Sequence, residues 1–111
     1  MRFSKITIRN FLENDETQLL ELWDKIYPHS PPHNNPARDR KTRREAEGGS
    51  FLVAFRDDRM VGVIVASLED SAGWVHYLGV DPDFRREGIA TALMRKLEAQ
   101  LIGKGCTEIA L

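Results

Sequence analysis

The stretch from Leu78 to Thr91, which reads LGVDPDFRREGIAT, sets the expectation for the rest of the chain. It begins as an apolar strand, breaks at Asp81-Pro82, and passes through two arginines and a glycine into an amphipathic helix. The first N–H groups of a helix lack internal partners, and the helix dipole favours negative charge at that end. The stretch therefore predicts a strand–loop–helix unit that binds an anion, most often a phosphate.

Within this stretch, residues 85–90 have the form R-x-x-G-x-A. Gly88 has no Cβ, so a phosphate can approach the backbone closely. Arg85 or Arg86 can add a charge-assisted hydrogen bond of about 1.5–3 kcal/mol. The stretch is not a P-loop, because no Gly-Lys-Ser/Thr follows, and it lacks the G-x-G-x-x-G of dinucleotide-binding folds.

The elements around this loop predict a β-α-β crossover. Residues 74–80 form the strand before the loop, and residues 88–102 form a long helix with an apolar stripe at i+4 spacing. Residues 107–111 begin a fifth strand, so the last two strands should be parallel.

Upstream, two patterns predict a strand and a helix. Residues 4–11 alternate polar and apolar side chains, which is typical of a half-buried strand. Asn14 or Asp15 can cap the following helix, which should end near Tyr27 because Pro28 follows. The apolar face of that helix consists of Leu19, Leu22, Trp23 and Ile26.

The segment after Pro28 predicts a loop and then a polar helix. The helix is predicted to begin with Asn35 as its N-cap and Pro36 at its first position. It is predicted to end at Gly48-Gly49. Because it has almost no apolar face, we expect it to pack little and to be mobile.

Two strand-like runs, residues 51–55 and 60–66, flank Asp57-Asp58 and predict an antiparallel hairpin. A second turn at residues 69–73 leads to the fourth strand. The fold class is α/β (α+β), with a mixed, mainly antiparallel sheet in the order β-α-α-β-β-β-α-β. Residues 1–111 should form a single domain.

Composition narrows the class of protein. Hydrophobic residues make up 41% and charged residues 30% of the 111 residues, and the formal net charge is −1. No apolar run is long enough to span a bilayer, and residues 1–5 show no secretory signal. With Cys106 as the only cysteine, we expect a cytoplasmic protein. His29 and His33 lack a metal-ligand pattern, so we expect no metal.

With Leu78-Gly79 before it, the run VDPDFRREGIA of residues 80–90 resembles the coenzyme-A-binding motif of the GNAT family, the Gcn5-related N-acetyltransferases. That motif has the form V-x-P-x-[YF]-R-x-x-G-[IV]-[GA] after the fourth strand. The element order and Val61-Gly62 extend the resemblance over nearly the whole chain. It implies an acyl-CoA N-acyltransferase-like fold with acetyl-CoA as cosubstrate. It also implies direct acetyl transfer, in a ternary complex, to the amine of a small molecule or peptide.

The resemblance also implies which residues hold the cofactor. Backbone groups of the strand end should pair with the pantetheine arm as an added strand would, and backbone N–H groups of the loop and helix start should hold the pyrophosphate. These residues are Leu78, Gly79, Val80, Arg85, Arg86, Glu87, Gly88, Ile89, Ala90 and Thr91.

Family members continue past the fifth strand with a further helix and strands, where a tyrosine commonly protonates the leaving thiolate. This sequence stops at Leu111, so we expect a C-terminally incomplete fold and an exposed sheet edge that favours a homodimer. One alternative is a non-catalytic coenzyme-A-binding or dimerisation module. A third is a nucleic-acid contact through the basic run from Arg38 to Arg44, although a solvated helix face is the favoured interpretation of that run.

The candidate catalytic residue is His76, a possible general base. Strict alternation would place it on the same face as Leu78 and Val80, with Tyr77 facing the core on the other side. A half-buried structural histidine is at least as good an interpretation of His76.

Other candidates have a structural interpretation beside the functional one. Glu69 and Asp70 are possible bases but fit a turn, and Cys106 fits a small buried residue better than a nucleophile. Three residues fall where the family often binds its acceptor: Tyr27, His29 and His33.

Overall fold

The computed structural model describes residues 5–111, so Ser4, the first residue of the predicted first strand, lies outside the described part. Five strands form one sheet in the order β1-β2-β3-β4-β5. The strands are β1 (Ile6–Asn10), β2 (Ser50–Arg56), β3 (Arg59–Glu69), β4 (Ala72–Val80) and β5 (Glu108–Ala110). The helices are α1 (Glu16–Ile26), α2 (Arg40–Glu45) and α3 (Ile89–Gly103).

The sheet confirms the predicted fold class and element order. The strand pairs β1/β2, β2/β3 and β3/β4 are antiparallel. β2 and β3 form the predicted hairpin around Asp57-Asp58. β4 and β5 are parallel, paired from Ala72↔Glu108 to Trp74↔Ala110, as expected for a β-α-β crossover through α3. Strand β4 starts two residues earlier than predicted, because the turn before it is tighter than residues 69–73.

Helix α3 covers one face of the sheet with the predicted apolar stripe. Leu93, Leu97 and Leu101 are completely buried and pack with Leu52 and Ile64 of the sheet. Each such leucine removes enough apolar area from water to contribute about 2 kcal/mol. This packing fixes the position of the N-terminus of α3 relative to the end of β4.

Helices α1 and α2 cover the opposite face. Trp23 and Ile26 pack over β4 at Gly79, where a Cβ atom would lie 2.9 Å from each of their side chains. Only a residue without a side chain allows this close approach. Gly79, which the sequence assigned to cofactor binding, therefore also has a packing role.

The predicted start and length of α2 are wrong. The helix has six residues and starts later than predicted, because Asp39, not Asn35, accepts the capping hydrogen bond from Thr42 N–H at 3.0 Å. Asn35 instead closes the preceding turn, with its Oδ1 accepting from Ala37 N–H at 2.9 Å. None of the residues of α2 itself is buried, which agrees with the prediction that this polar helix packs little, although Ala37 and Ala46 on either side of it are buried in the core. The expected mobility of the helix stays a prediction.

A bulge in β4 changes the direction of one candidate residue. Val75 pairs with Ala66 and Tyr77 pairs with Val65, so His76 is an extra residue in β4. Its ring nitrogen Nε2 lies 2.8 Å from Ser67 Oγ, on the side of α1 and α2. The expectation that His76 shares a face with Leu78 and Val80 is therefore wrong, because the bulge interrupts the alternation.

Candidate functional site

A cavity of about 410 Å³ lies between the end of β4 and the start of α3. Nine of the ten residues that the sequence assigned to the cofactor line it: Leu78, Gly79, Val80, Arg85, Arg86, Gly88, Ile89, Ala90 and Thr91. Ile26, Tyr27 and Phe84 complete the walls. The tenth residue, Glu87, does not line the cavity, because its carboxylate accepts a hydrogen bond from Arg56.

The N-terminus of α3 opens into this cavity with free donors. The first hydrogen bond of the helix runs from Ala92 N–H to Gly88 C=O at 3.0 Å. The N–H groups of Ile89, Ala90 and Thr91 precede it, and they have no protein acceptor among residues 5–111. Three free donors at a helix N-terminus, together with the helix dipole, favour the binding of an anion.

Gly88 is the residue that makes room at this end of the helix. Its φ is +79°, a left-handed conformation that other residues adopt only with strain. A Cβ atom built on Gly88 would meet no protein atom within 4 Å, so the space beside its backbone is open. The Gly88 backbone is therefore open to a close approach from the cavity.

The loop before α3 is held by the buried carboxylate of Asp81. It accepts hydrogen bonds from Asp83 N–H at 2.9 Å, Lys25 Nζ at 3.0 Å and Arg59 Nη2 at 3.2 Å. Burial alone would raise the pKa of Asp81, but these partners lower it below its usual value, so the carboxylate is ionised at neutral pH. The sequence pattern around Asp81 predicted only that the strand breaks there.

Phe84 is held from one side by two arginines. The guanidinium groups of Arg56 and Arg59 each lie 5.2 Å from the centroid of its ring. Since Arg56 also pairs with Glu87, these two arginines are engaged in supporting the loop. Arg85 and Arg86 remain exposed at the cavity, where they can bind an anion.

Strand β4 has a free edge beside the cavity. Within residues 5–111, β5 pairs with β4 only at residues 72–74, so residues 75–80 have no strand partner on that side. An extended ligand can add to this edge through backbone hydrogen bonds, which is the arrangement predicted for the pantetheine arm. Formation of a homodimer at the edge of the sheet stays a prediction.

A second cleft of about 490 Å³ adjoins the cavity and shares Tyr27 and Leu78 with it. Asp39, His76 and Tyr77 also line this cleft. Tyr77 donates a hydrogen bond of 2.6 Å from its hydroxyl to Asp39 Oδ2. Burial and this hydrogen bond raise the pKa of Tyr77 well above its usual value, so its phenol keeps its proton.

Tyr77 also packs against the core on the α1 side of the sheet, as predicted. Of the three acceptor candidates, Tyr27 lines both the cavity and the cleft. His29 and His33 are exposed and line neither hollow. Their assignment to the acceptor came only from their position in the loop.

The remaining candidates have structural roles. Glu69 ends β3, and Asp70 occupies the following turn with a φ of +55°. Cys106 is buried against the α3-side core, which confirms the prediction of a small buried residue. In the described part of the chain, no group of three or more possible ligands could hold a metal ion. No helix there is both long and apolar enough to cross a membrane.

The basic run is neutralised in part by nearby acids. Arg43 Nη1 lies 3.6 Å from Glu16 Oε2, and its guanidinium lies 5.0 Å from the centroid of the Phe11 ring. Three arginines of α2 share a hollow with three glutamates: Arg40, Arg43, Arg44, Glu13, Glu16 and Glu47. This mixed surface favours the solvated-face interpretation over nucleic-acid contact.

The family follows from comparison with known proteins. The Acetyltransferase (GNAT) family matches residues 16–111. An acetyltransferase of Pectobacterium atrosepticum (strain SCRI 1043) is 36% identical over 104 residues, which cover 94% of this chain and 73% of that protein. The chain belongs to the GNAT acetyltransferase family and is an acyltransferase. The recognition of the family from its coenzyme A motif is thereby confirmed.

Solved structures show the same fold. The aminoglycoside N-acetyltransferase AAC(6')-Iy in complex with CoA superposes with a TM-score of 0.79 at 22% identity, covering 98% of this chain and 77% of that one. A GNAT family acetyltransferase from Brucella melitensis in complex with acetyl-CoA gives a TM-score of 0.78 at 23% identity, covering 94% and 73%. Both confirm the acyl-CoA N-acyltransferase-like fold.

Proposed function

We propose that this protein is an acetyl-CoA-dependent N-acetyltransferase that passes an acetyl group directly to an amine in a ternary complex. One observation carries the proposal: the cavity at the start of α3 opens beside the cleft of Asp39 and Tyr77, and Tyr27 and Leu78 belong to both. A cofactor in the first and an acceptor in the second would meet at this shared wall, as direct transfer requires.

The cavity fits both the pyrophosphate and the pantetheine arm of coenzyme A. Three unpaired N–H groups and the open space at Gly88 fit a pyrophosphate, and Arg85 and Arg86 add positive charge. The free edge of β4 fits the pantetheine arm, which is rich in amide groups. The structures in complex with CoA and with acetyl-CoA support this choice of cofactor.

When bound, acetyl-CoA supplies a thioester from which an amine can take the acetyl group, with a C–N bond forming as the C–S bond breaks. The amine must lose a proton, and we assign the acceptance of this proton to His76, whose partly exposed side chain lines the acceptor cleft. Ser67 Oγ, 2.8 Å from Nε2, orients the ring. Tyr77 keeps its proton and is held by Asp39, so it lines the cleft as a hydrogen-bonding group.

The acceptor is a small-molecule or peptide amine, and the size of the cleft favours the small molecule. A structural neighbour was solved in complex with an aminoglycoside, sisomicin, which supports an amine of this size for the present chain. A peptide acceptor remains the alternative, because the cleft is open to solvent at Tyr27.

The test is a transfer assay with acetyl-CoA and a panel of primary amines. We expect free thiol to appear only when an amine is added, together with an acetylated amine detected by mass spectrometry. Thiol release that is the same with and without every amine would contradict the proposal. A matched Gly88→Glu variant should lose activity in proportion to its lost affinity for acetyl-CoA.

A further inference from the structure

We propose that the acceptor carries a second, non-reacting ammonium group, which the carboxylate of Asp39 binds in the cleft beside the cofactor cavity. This inference rests on the proposed function, since it names the substrate class for the same reaction. The cofactor cavity and the cleft differ in the charge of the side chains that line them. Among residues 5–111, Arg85 and Arg86 line the cofactor cavity with no carboxylate, whereas Asp39 lines the cleft with no lysine or arginine.

Asp39 retains the capacity to bind a cation. Its Oδ1 accepts from Thr42 N–H at 3.0 Å, and its Oδ2 accepts from the Thr42 hydroxyl at 2.7 Å and from Tyr77 at 2.6 Å. A carboxylate has about four acceptor positions, so one remains for a ligand. Burial opposes its charge, but the bonds from Tyr77 and Thr42 and the nearby His76 lower the pKa of Asp39, so the group is an anion.

The walls of the cleft suit an organic cation. The rings of Trp23 and Tyr27 lie 5.0 Å apart, and those of Trp23 and Tyr77 lie 5.2 Å apart edge to face. Aromatic faces attract ammonium groups, and their apolar area suits the carbon chain between two nitrogens. Behind His76, the Glu45 carboxylate lies 3.8 Å from Nε2 and adds negative charge.

The arginines of α2 do not cancel this charge. Arg43 Nη1 donates to the Ala37 carbonyl at 3.3 Å and faces Glu16. With Arg40 and Arg44 it lines a different hollow, which contains Glu47. None of these three arginines lines the cleft, where Asp39 is the one carboxylate among the described residues.

The experiment compares two amines of equal chain length, 1,4-diaminobutane and 1-aminobutane, as acceptors for acetyl-CoA. In the unmodified protein we expect kcat/KM to be at least about tenfold higher for the diamine, equivalent to about 1.4 kcal/mol. In Asp39→Asn this preference should fall to about one. Asparagine caps helices as well as aspartate does, so the variant should keep α2 intact, which its melting temperature checks. Glu47→Gln removes a carboxylate outside the cleft and should keep the preference.

A binding measurement that needs no turnover accompanies the assay. Calorimetric titration of protein saturated with coenzyme A should show 1,4-diaminobutane binding that weakens about tenfold in Asp39→Asn and is unchanged in Glu47→Gln. Equal kcat/KM for the two amines in the unmodified protein would overturn this inference and leave the transferase function standing. If no amine is acetylated, the proposed function fails, and the titration still decides whether the cleft binds a dication through Asp39.

Discussion

Lys25 Nζ lies 3.0 Å from the buried carboxylate of Asp81, which joins the end of α1 to the loop that leads into α3. Residues that follow each partner line the cofactor cavity, with Ile26 and Tyr27 after Lys25 and with Phe84 and Arg85 after Asp81. We therefore expect the ion pair to hold these two segments together beside the cavity, although neither partner lines it.

Removal of the Asp81 charge should weaken both the fold and the cofactor site. Asp81→Asn keeps the size of the side chain but loses the charge-assisted bonds to Lys25 and Arg59, so we expect a loss of about 2 kcal/mol in the free energy of unfolding. Affinity for acetyl-CoA should fall several-fold. Urea denaturation and calorimetry measure the two effects.

Asp83→Asn is the matched control, because Asp83 also bonds Lys25, at 2.8 Å, but its side chain is 70% exposed. Its effect on stability should stay within about 0.5 kcal/mol. If Asp81→Asn and Asp83→Asn lowered the free energy of unfolding equally, the burial of Asp81 would contribute nothing to stability.

The carboxylate of Asp81 also makes the free energy of unfolding depend on pH. The pKa of Asp81 is lower in the folded protein than the value of about 3.9 in an unfolded chain. The unfolded state therefore binds the proton first, and the contribution of Asp81, present above about pH 4, is lost as pH falls through the folded-state pKa. The free energy of unfolding should fall less between pH 5 and pH 3 in Asp81→Asn than in the unmodified protein. Parallel curves would contradict this assignment.

Gly88→Glu should weaken acetyl-CoA binding by at least about tenfold, because it places bulk and negative charge in the open space beside the helix N-terminus. The positive φ of Gly88 means that the variant also introduces backbone strain. Gly105→Glu is the matched control, since Gly105 has a φ of +93°, has open space at its Cβ position and lies beyond the other end of α3. If calorimetry showed that Gly88→Glu and Gly105→Glu weaken acetyl-CoA binding equally, the loss of affinity would be due to backbone strain.

The local features of the fold were predictable from the sequence, because the physical cause of each lies within a few residues. The i+4 stripe predicted α3, Asp57-Asp58 predicted the hairpin turn, and the strand–loop–helix unit predicted a cavity that nine assigned residues line. The crossover rule then predicted the parallel pairing of β4 and β5.

The sequence could not predict contacts between distant residues. Lys25 and Asp81 are 56 residues apart, and Asp39 and Tyr77 are 38 apart, so no spacing rule connects either pair. The bulge at His76 depends on the register of β3 against β4, which the alternation of one strand does not reveal. Helix α2 was predicted to be longer than it is, because Asn35 and Asp39 are both good capping residues in sequence. In the structure Asp39 caps the helix by accepting from Thr42 N–H, and Asn35 accepts from Ala37 N–H in the preceding turn.

The role of His76 is tested by His76→Gln, which keeps a polar side chain but cannot accept the proton of the amine. If His76 is the general base, kcat should fall about a hundredfold, in line with the usual contribution of such a group. The KM for acetyl-CoA should not change, because His76 does not line the cofactor cavity. The acid-side decrease of log kcat with pH should also flatten.

His33→Gln is the control, since His33 is exposed in the loop before α2 and lines neither hollow. Ser67→Ala separates orientation from chemistry, because it removes only the 2.8 Å contact to Nε2. It should lower kcat less than His76→Gln does and keep the pH profile. If His76→Gln keeps kcat within about threefold but lowers the melting temperature, the histidine is structural, and the base must be sought elsewhere in the cleft.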